Sequence, residues 1–151
     1  MKVLMLCIEF PPVNTTGNYR SAGFARYFSK NGIDTIVLTC DIESGEKTFN
    51  KKSDLSLLNG LENVKIYRFP IKPIKDIWTN GIRNSIRIWW KTTDKIDRRW
   101  YYGKNKINID SVIAEEAPDL IYVSLPPFSM TRVALEIAKK FGLSTEEFFP
   151  A

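Results

Sequence analysis

The chain has 151 residues, 44% hydrophobic and 26% charged, the balance of one folded domain rather than of a disordered or fibrous protein. It carries 22 Lys/Arg against 17 Asp/Glu, a net charge of +5, and no histidine. That last absence removes the commonest general base, the Ser-His-Asp triads and most zinc sites.

The first forty residues read as strand, glycine-bearing loop, helix, strand. Val3 to Ile8 is apolar at every position, as a central strand of a parallel sheet covered on both faces should be. Glu9 and Pro11-Pro12 end it, and a turn-rich loop runs to Asn18. From Tyr19 a helical period takes over through Ala22, Ala25 and Phe28, and Asn31-Gly32 closes it. Thr35 to Thr39 is a β-branched second strand. The start mimics a signal peptide, but the apolar run is too short and Glu9 interrupts it. Leu4-Met5-Leu6-Cys7 lacks the small residue that precedes a lipoprotein cysteine. Cys7 and Cys40 have no metal-ligand spacing and read as buried, reduced thiols of a cytosolic protein.

Asp41 to Gly60 is polar and reads as a loop with a short helix at Asp54–Leu58. Val64 to Phe69 alternates as a third strand, stopped by Pro70 and Pro73. Between Lys72 and Lys106 lie ten Lys/Arg and three Asp, a local +7, so the remaining residues sum to −2. One basic segment on a balanced domain points to an anionic neighbour. Within it, Gly81 to Tyr102 is read as a helix. Ile82, Ile86, Trp89, Thr93, Ile96 and Trp100 share one stripe, and Arg83, Arg87, Asp94 and Arg98 share another, with Trp90 and Lys91 between. Two readings stand: an amphipathic helix packed on its own domain, or a helix in a membrane interface. In the second, Arg83, Arg87, Trp89, Trp90, Lys91, Arg98 and Trp100 form a face for anionic lipid or a lipid-linked acceptor. A single-strand nucleic-acid surface would also combine basic and aromatic residues, but nothing else supports it, so no nucleic-acid partner is expected.

Ile107 to Glu116 reads as a further helix, Asp119 to Ser124 as a fourth strand, and Leu125 to Ser129 as a second tight loop at a strand's carboxyl end. Met130 to Phe141 is a helix capped by Gly142. Leu143 to Ala151, with two adjacent glutamates and a proline, makes a poor central strand. The expected fold is α/β: a Rossmann-like parallel sheet of about four strands with helices on both faces, short of the domain's last strands.

Open α/β sheets bind ligands at the carboxyl ends of their strands, so the two loops there hold the candidate site. In the first, Gly17 lets a phosphate approach the backbone at a helix start, and Thr16, Asn18 and Arg20 complete the set. The plainer alternative is a turn glycine, an Asn18 helix cap and a solvated arginine. In the second, Ser124, Pro126 and Ser129 are candidate contacts, with Ser129 read as the cap of the next helix in preference to a nucleophile, since no general base is near it in sequence. Glu9 and Asp41, at the ends of the first two strands, are candidate polar contacts. A dinucleotide site is disfavoured, because the first loop lacks G-x-G-x-x-G.

Pro-Pro, a short loop, Gly17, Arg20-Ser-Ala-Gly-Phe-Ala-Arg-Tyr-Phe, Asn31-Gly32 and Ile36-Val-Leu-Thr39 together resemble the start of the N-terminal domain of family 4-like glycosyltransferases. Val64-Lys-Ile-Tyr-Arg-Phe-Pro70 is similar to that domain's third strand. Ala117-Pro-Asp-Leu-Ile-Tyr-Val-Ser-Leu-Pro-Pro-Phe-Ser129 is similar to its later strand and Pro-Pro loop. The resemblance implies a GT-B fold, two Rossmann-like domains facing across a cleft, with residues 1–143 as an incomplete acceptor-side domain. Residues 144–151 would be a tail outside the family pattern, and the C-terminal donor-binding domain would be absent. It implies transfer of a sugar from a nucleotide-sugar donor to the hydroxyl of a glycan or lipid-linked acceptor, as in cell-surface polysaccharide synthesis, in the cytoplasm or at the inner face of the membrane. Thr16, Gly17, Asn18 and Arg20 would face the donor diphosphate. Three features depart from the family: Thr16 stands where paired glycines are common, no histidine is present, and no strand and Asp/Arg loop follow Gly142. No covalent cofactor and no metal are expected, and catalytic residues are unassigned. Alone the chain should not catalyse transfer, and a separate donor-domain chain would be its partner. The competing reading is a non-catalytic Rossmann-like module that pairs with another chain or binds an anionic ligand.

Overall fold

The structure, a computed structural model, describes residues 1–72 and 96–147. In chain order the elements are β1 (Lys2–Leu6), α1 (Asn18–Lys30), β2 (Asp34–Cys40), α2 (Ile42–Phe49), a 3-10 turn (Leu55–Leu58), β3 (Lys65–Phe69), α3 (Ile96–Trp100), α4 (Lys104–Glu116), β4 (Leu120–Val123), α5 (Met130–Phe141) and β5 (Ser144–Glu147). All strand pairs are parallel, and the order across the sheet is β3-β2-β1-β4-β5. This is the expected Rossmann-like α/β sheet.

The continuous apolar runs divide by the strand's period of two. Val3, Met5 and Cys7, with Val37 and Tyr122, face one side, where α1 lays Ala22 and Ala25 against them. Phe24 and Phe28 close on the Tyr122 ring at 5.5 and 6.4 Å between centroids. Leu4, Leu6 and Ile8, with Ile36, Leu38, Ile121 and Val123, face the other side and meet Ile109 and Ile113 of α4 and Val133 and Ile137 of α5. Each such side chain withdrawn from water contributes roughly 1.5–3 kcal/mol before the entropy of ordering is charged against it. Gly32 and Gly142 end α1 and α5 at φ of +74° and +67°, the left-handed conformation expected of both caps.

Four expectations need correction. Ser144–Glu147 is a fifth strand, in register with β4 from Leu120↔Ser144 to Val123↔Glu147. An edge strand pairs on one side only and tolerates charged residues that a central strand would not. Ile42–Phe49, read as loop, is a helix because the Asp41 carboxylate accepts the Ser44 N–H at 2.7 Å and caps it. Neither Asn18 nor Ser129 makes a side-chain cap bond; α1 begins at Asn18 behind Gly17. Of the helix expected over 81–102, the described part is α3. Trp100 is fully buried, its indole N–H donates to the Phe69 carbonyl at 3.1 Å, and its ring meets Phe69 edge-on. It therefore belongs to the domain's own core and not to a membrane face. Arg98 is exposed. Arg83, Arg87, Trp89, Trp90 and Lys91 lie outside the described residues.

At the amino edge of the sheet one buried carboxylate ties the elements together. Glu116, at the end of α4, accepts from Lys65 Nζ at 2.8 Å and Tyr67 Oη at 2.6 Å on β3, and from Lys2 Nζ at 3.4 Å on β1. The Lys65 and Tyr67 donors hold its pKa down at about 2. A carboxyl depressed in the folded state stabilises fully above its unfolded value and loses that contribution as pH falls toward 2. Glu116→Gln is therefore expected to cost about 2 kcal/mol at pH 7 and to flatten the fall in stability between about pH 5 and pH 2, read by urea unfolding across that range.

Candidate functional site

The strand order places a topological switch point between β1 and β4. The chain builds outward through β2 and β3 on one side of β1, then through β4 and β5 on the other. The loops leaving β1 and β4 diverge, and the crevice between their carboxyl ends is where such sheets take ligands.

Backbone bonds continue the ladder one step past both strands: Cys7 N–H donates to Leu38 O at 3.1 Å and Ser124 N–H to Leu6 O at 3.0 Å. Above them, Ser21 Oγ–H of α1 donates to Ser124 Oγ at 3.0 Å, and Arg20 Nη2 donates to the Leu125 carbonyl at 2.6 Å. Helix α1 is thereby fastened across the switch point to the β4–α5 loop. Cys7 lies beneath these groups, and burial pushes its thiol up to about 12, against the smaller opposing effects of the Ser21 hydroxyl and the Arg20 charge. Burial likewise pushes Cys40 up to about 11. Neither is a thiolate nucleophile near neutrality.

The first loop brings Thr16, Gly17, Asn18 and Arg20 together at the start of α1, in different states. Thr16 is exposed and Arg20 half-buried. Gly17 N–H is engaged by the Glu9 carboxylate, Oε2 at 3.3 Å. A Cβ at position 17 would lie 2.7 Å from that oxygen, so glycine stands here to admit Glu9, and its φ of −70° asks for nothing unusual. Glu9 thus occupies the place at the helix start that an external anion would favour. Asn18 is fully buried and its amide nitrogen donates to Val13 O at 2.5 Å. Its Oδ1, like Thr15 Oγ1 and Ser53 Oγ, is buried without a hydrogen-bond partner. All three border this one loop, since Val13 bridges to Ser53.

In the second loop Ser124 is buried and committed to Ser21, which makes it a support for the crevice and not an accessible contact. Pro126 is exposed, and Ser129 accepts from Asp97 N–H at 3.3 Å. Phe128 between them is 65% exposed, a residue the sequence reading passed over. Arg68 was also passed over; its Nη2 reaches the Pro11 carbonyl at 2.5 Å from the β3 side of the first loop. An arginine inside an alternating strand was the available signal. Among the described residues no group of three or more Cys, Asp or Glu could hold a metal ion, and no helix is long and apolar enough to cross a membrane.

No protein-family model matches the sequence, and no curated protein matches it. Among solved structures the chain is similar to Glycyrrhiza uralensis UGT73P12 complexed with glycyrrhetinic acid 3-O-monoglucuronide, at 14% identity and a TM-score of 0.49. The match covers 97% of this chain and 27% of that one. A likeness at this level says nothing about activity, and the fold assignment rests on the sheet itself.

The thiols give a direct check of the crevice floor. In the folded chain neither Cys7 nor Cys40 is expected to react with iodoacetamide at pH 8 over hours, and both are expected to react in urea, as counted by intact mass.

Proposed function

We propose that this chain forms the acceptor-side wall of a GT-B glycosyltransferase of the family 4-like kind, an enzyme that moves a sugar from a nucleotide-sugar donor to an acceptor hydroxyl in cell-surface polysaccharide synthesis. The observation that carries this reading is the loop at the switch point. Arg20 is anchored there on the Leu125 carbonyl through Nη2, its one hydrogen bond among the described residues, and a guanidinium has five N–H donors. Thr15 and Asn18 lie buried beneath the loop and shape it, so the groups it presents to a ligand are exposed Thr16 and half-buried Arg20. The order of sequence motifs supplies the family.

In this reading Arg20 and Thr16 take the donor diphosphate, and charge that builds on the departing phosphate is met by a guanidinium already held in place. A phosphate reaching Gly17 N–H displaces Glu9 from it. Asn18 acts from below, by fixing the loop through Val13. Pro126, Phe128 and Ser129 form the acceptor rim, while Ser124 and Ser21 hold that rim to α1. The donor-binding wall is supplied by a further domain or a separate chain, and positioning across the two walls does most of the chemistry. The protein works at the inner, cytoplasmic face of a membrane, with exposed Arg98 toward anionic lipid.

Titrating the ¹⁵N-labelled chain with UDP and with GDP tests this. One of them is expected to shift the amides of 16–20 and of Ser124, Leu125 and Phe128 saturably, and Arg20→Met is expected to weaken that binding by about tenfold. Nucleotides that move neither loop overturn the reading. The purified chain alone is expected to transfer no sugar from labelled UDP- or GDP-sugars to glycan or lipid acceptors; transfer above background contradicts the one-wall assignment.

A further inference from the structure

Arg68 is the fourth residue of β3 and the register partner of Thr39 on β2. Its guanidinium reaches the first loop from the side opposite Arg20. Nη2 donates to Pro11 O at 2.5 Å and Nη1 to Cys40 O at 3.4 Å. Burial lowers its pKa, because water has been withdrawn from the cation, with the Cys40 and Asp41 side chains opposing. No carboxylate among the described residues forms an ion pair with it. Asp41, the acid beside it, spends Oδ1 on the Ser44 N–H at 2.7 Å and the Ser44 hydroxyl at 2.6 Å. Among the described residues two of its five guanidinium donors are used and no carboxylate pairs with this half-buried cation.

The amino edge handles its charges differently. There Lys2 and Lys65 are paired with Asp34 and Glu116. At the carboxyl edge Arg132 meets Asp97 at 3.5 Å, while Arg68 and Arg99 have no ion-pair partner among the described residues. Next to the end of β3, Lys72 N–H donates to Arg99 O at 2.8 Å and Arg99 Nε to Lys72 O at 2.9 Å. Burial also lowers the Arg99 pKa, and no ion pair among the described residues includes it. Asn105 Nδ2 donates to Pro70 O at 2.8 Å, so both described ends of the +7 segment sit at this corner of the sheet.

We propose that Arg68, from the β3 side of the β1–α1 loop, binds a phosphate group of a phosphate-bearing acceptor, with Arg99 as the neighbouring charge. A planar fork already docked on two carbonyls and holding spare donors meets a phosphate oxygen pair with little further ordering. The word acceptor rests on the glycosyl-transfer reading; the anion site does not. The phosphate is borne either by a lipid or by a soluble molecule, and one chemistry serves both.

The test follows the arginine Nε–H resonances of the ¹⁵N-labelled chain during titration with inorganic pyrophosphate at low salt. The Arg68 Nε–H and the Val13 and Asp41 amides are expected to shift saturably in the low millimolar range, and Arg68→Lys, with its fold confirmed by thermal melting, is expected to bind about tenfold more weakly. Shifts confined to Arg20 and the Gly17 and Asn18 amides, or no saturable shift, overturn the proposal without any variant being needed. Phosphatidylcholine vesicles with and without phosphatidic acid identify the source. Co-sedimentation abolished by both Arg68→Lys and pyrophosphate supports a lipid-borne phosphate. Pyrophosphate binding without co-sedimentation supports a soluble one, and co-sedimentation indifferent to Arg68→Lys overturns the lipid source. UDP and GDP that move neither loop, while pyrophosphate moves Arg68, overturn the transfer reading and leave the anion site standing.

Discussion

A parallel sheet covered on both faces leaves its ligand chemistry to the carboxyl ends of the strands, and the rest of this structure follows from that constraint. Leu4, Leu6 and Ile8 are spent on one face, Val3, Met5 and Cys7 on the other, so from Val3 the chain presents no polar side chain until Glu9. At that point the polar side chains begin, and most have to be paired because they are still under cover. Ser21 and Ser124 pair with each other across the switch point, Asn18 pairs with the Val13 carbonyl, and Glu9 closes on Gly17. The loop is held by its own polar groups, which is what a preorganised binding loop requires.

That self-satisfaction bears on where an anion can sit. A glycine at a helix start suggests a phosphate cradle, yet the carboxylate of Glu9 already lies against the Gly17 N–H, near the favourable end of the helix dipole. A second negative group there must displace the first or bind elsewhere. The guanidiniums of Arg20 and Arg68 flank the loop on its two sides, each docked on backbone carbonyls, and each offers charge without that competition.

The strands and α5 were legible because their signals are local and redundant: unbroken apolar runs, a clean helical period and a glycine at φ of +67° just past Phe141. The misses have definite causes. In Ile42–Phe49 the hydrophobic period is short, and Gly45 breaks it in the middle. That glycine is there because a Cβ would meet Cys40 Sγ at 2.8 Å, a tertiary reason invisible in the sequence. Glu146 and Glu147 argue against a central strand and are acceptable in an edge one, and edge position is a property of topology. Trp100 carried the pattern of an amphipathic stripe, which does not say whether the apolar side meets lipid or protein; the Phe69 carbonyl decides it. At the site the sequence located the right loops but not the pairings within them, because Asn18 with Val13, Glu9 with Gly17 and Ser21 with Ser124 depend on side-chain directions that spacing does not fix.

The use of lysine around Glu116 and of arginine beside the first loop has a physical reason. At the amino edge the cations that meet carboxylates are lysines, Lys2 and Lys65, whose compact ammonium groups converge on the single carboxylate of Glu116. Around the carboxyl edge the cations that meet carbonyls are arginines, Arg20 on Leu125 and Arg68 on Pro11 and Cys40. An ammonium spent on carbonyls gives up most of its hydration for weak compensation. A guanidinium spreads its charge, is more weakly hydrated, and can anchor through one nitrogen while its others remain available. Pairing neutralises a charge, whereas docking on a carbonyl orients it and leaves its field intact. The amino edge is therefore tied together by paired charge, and at the carboxyl edge Arg20 and Arg68 are oriented by carbonyls that leave their charge intact.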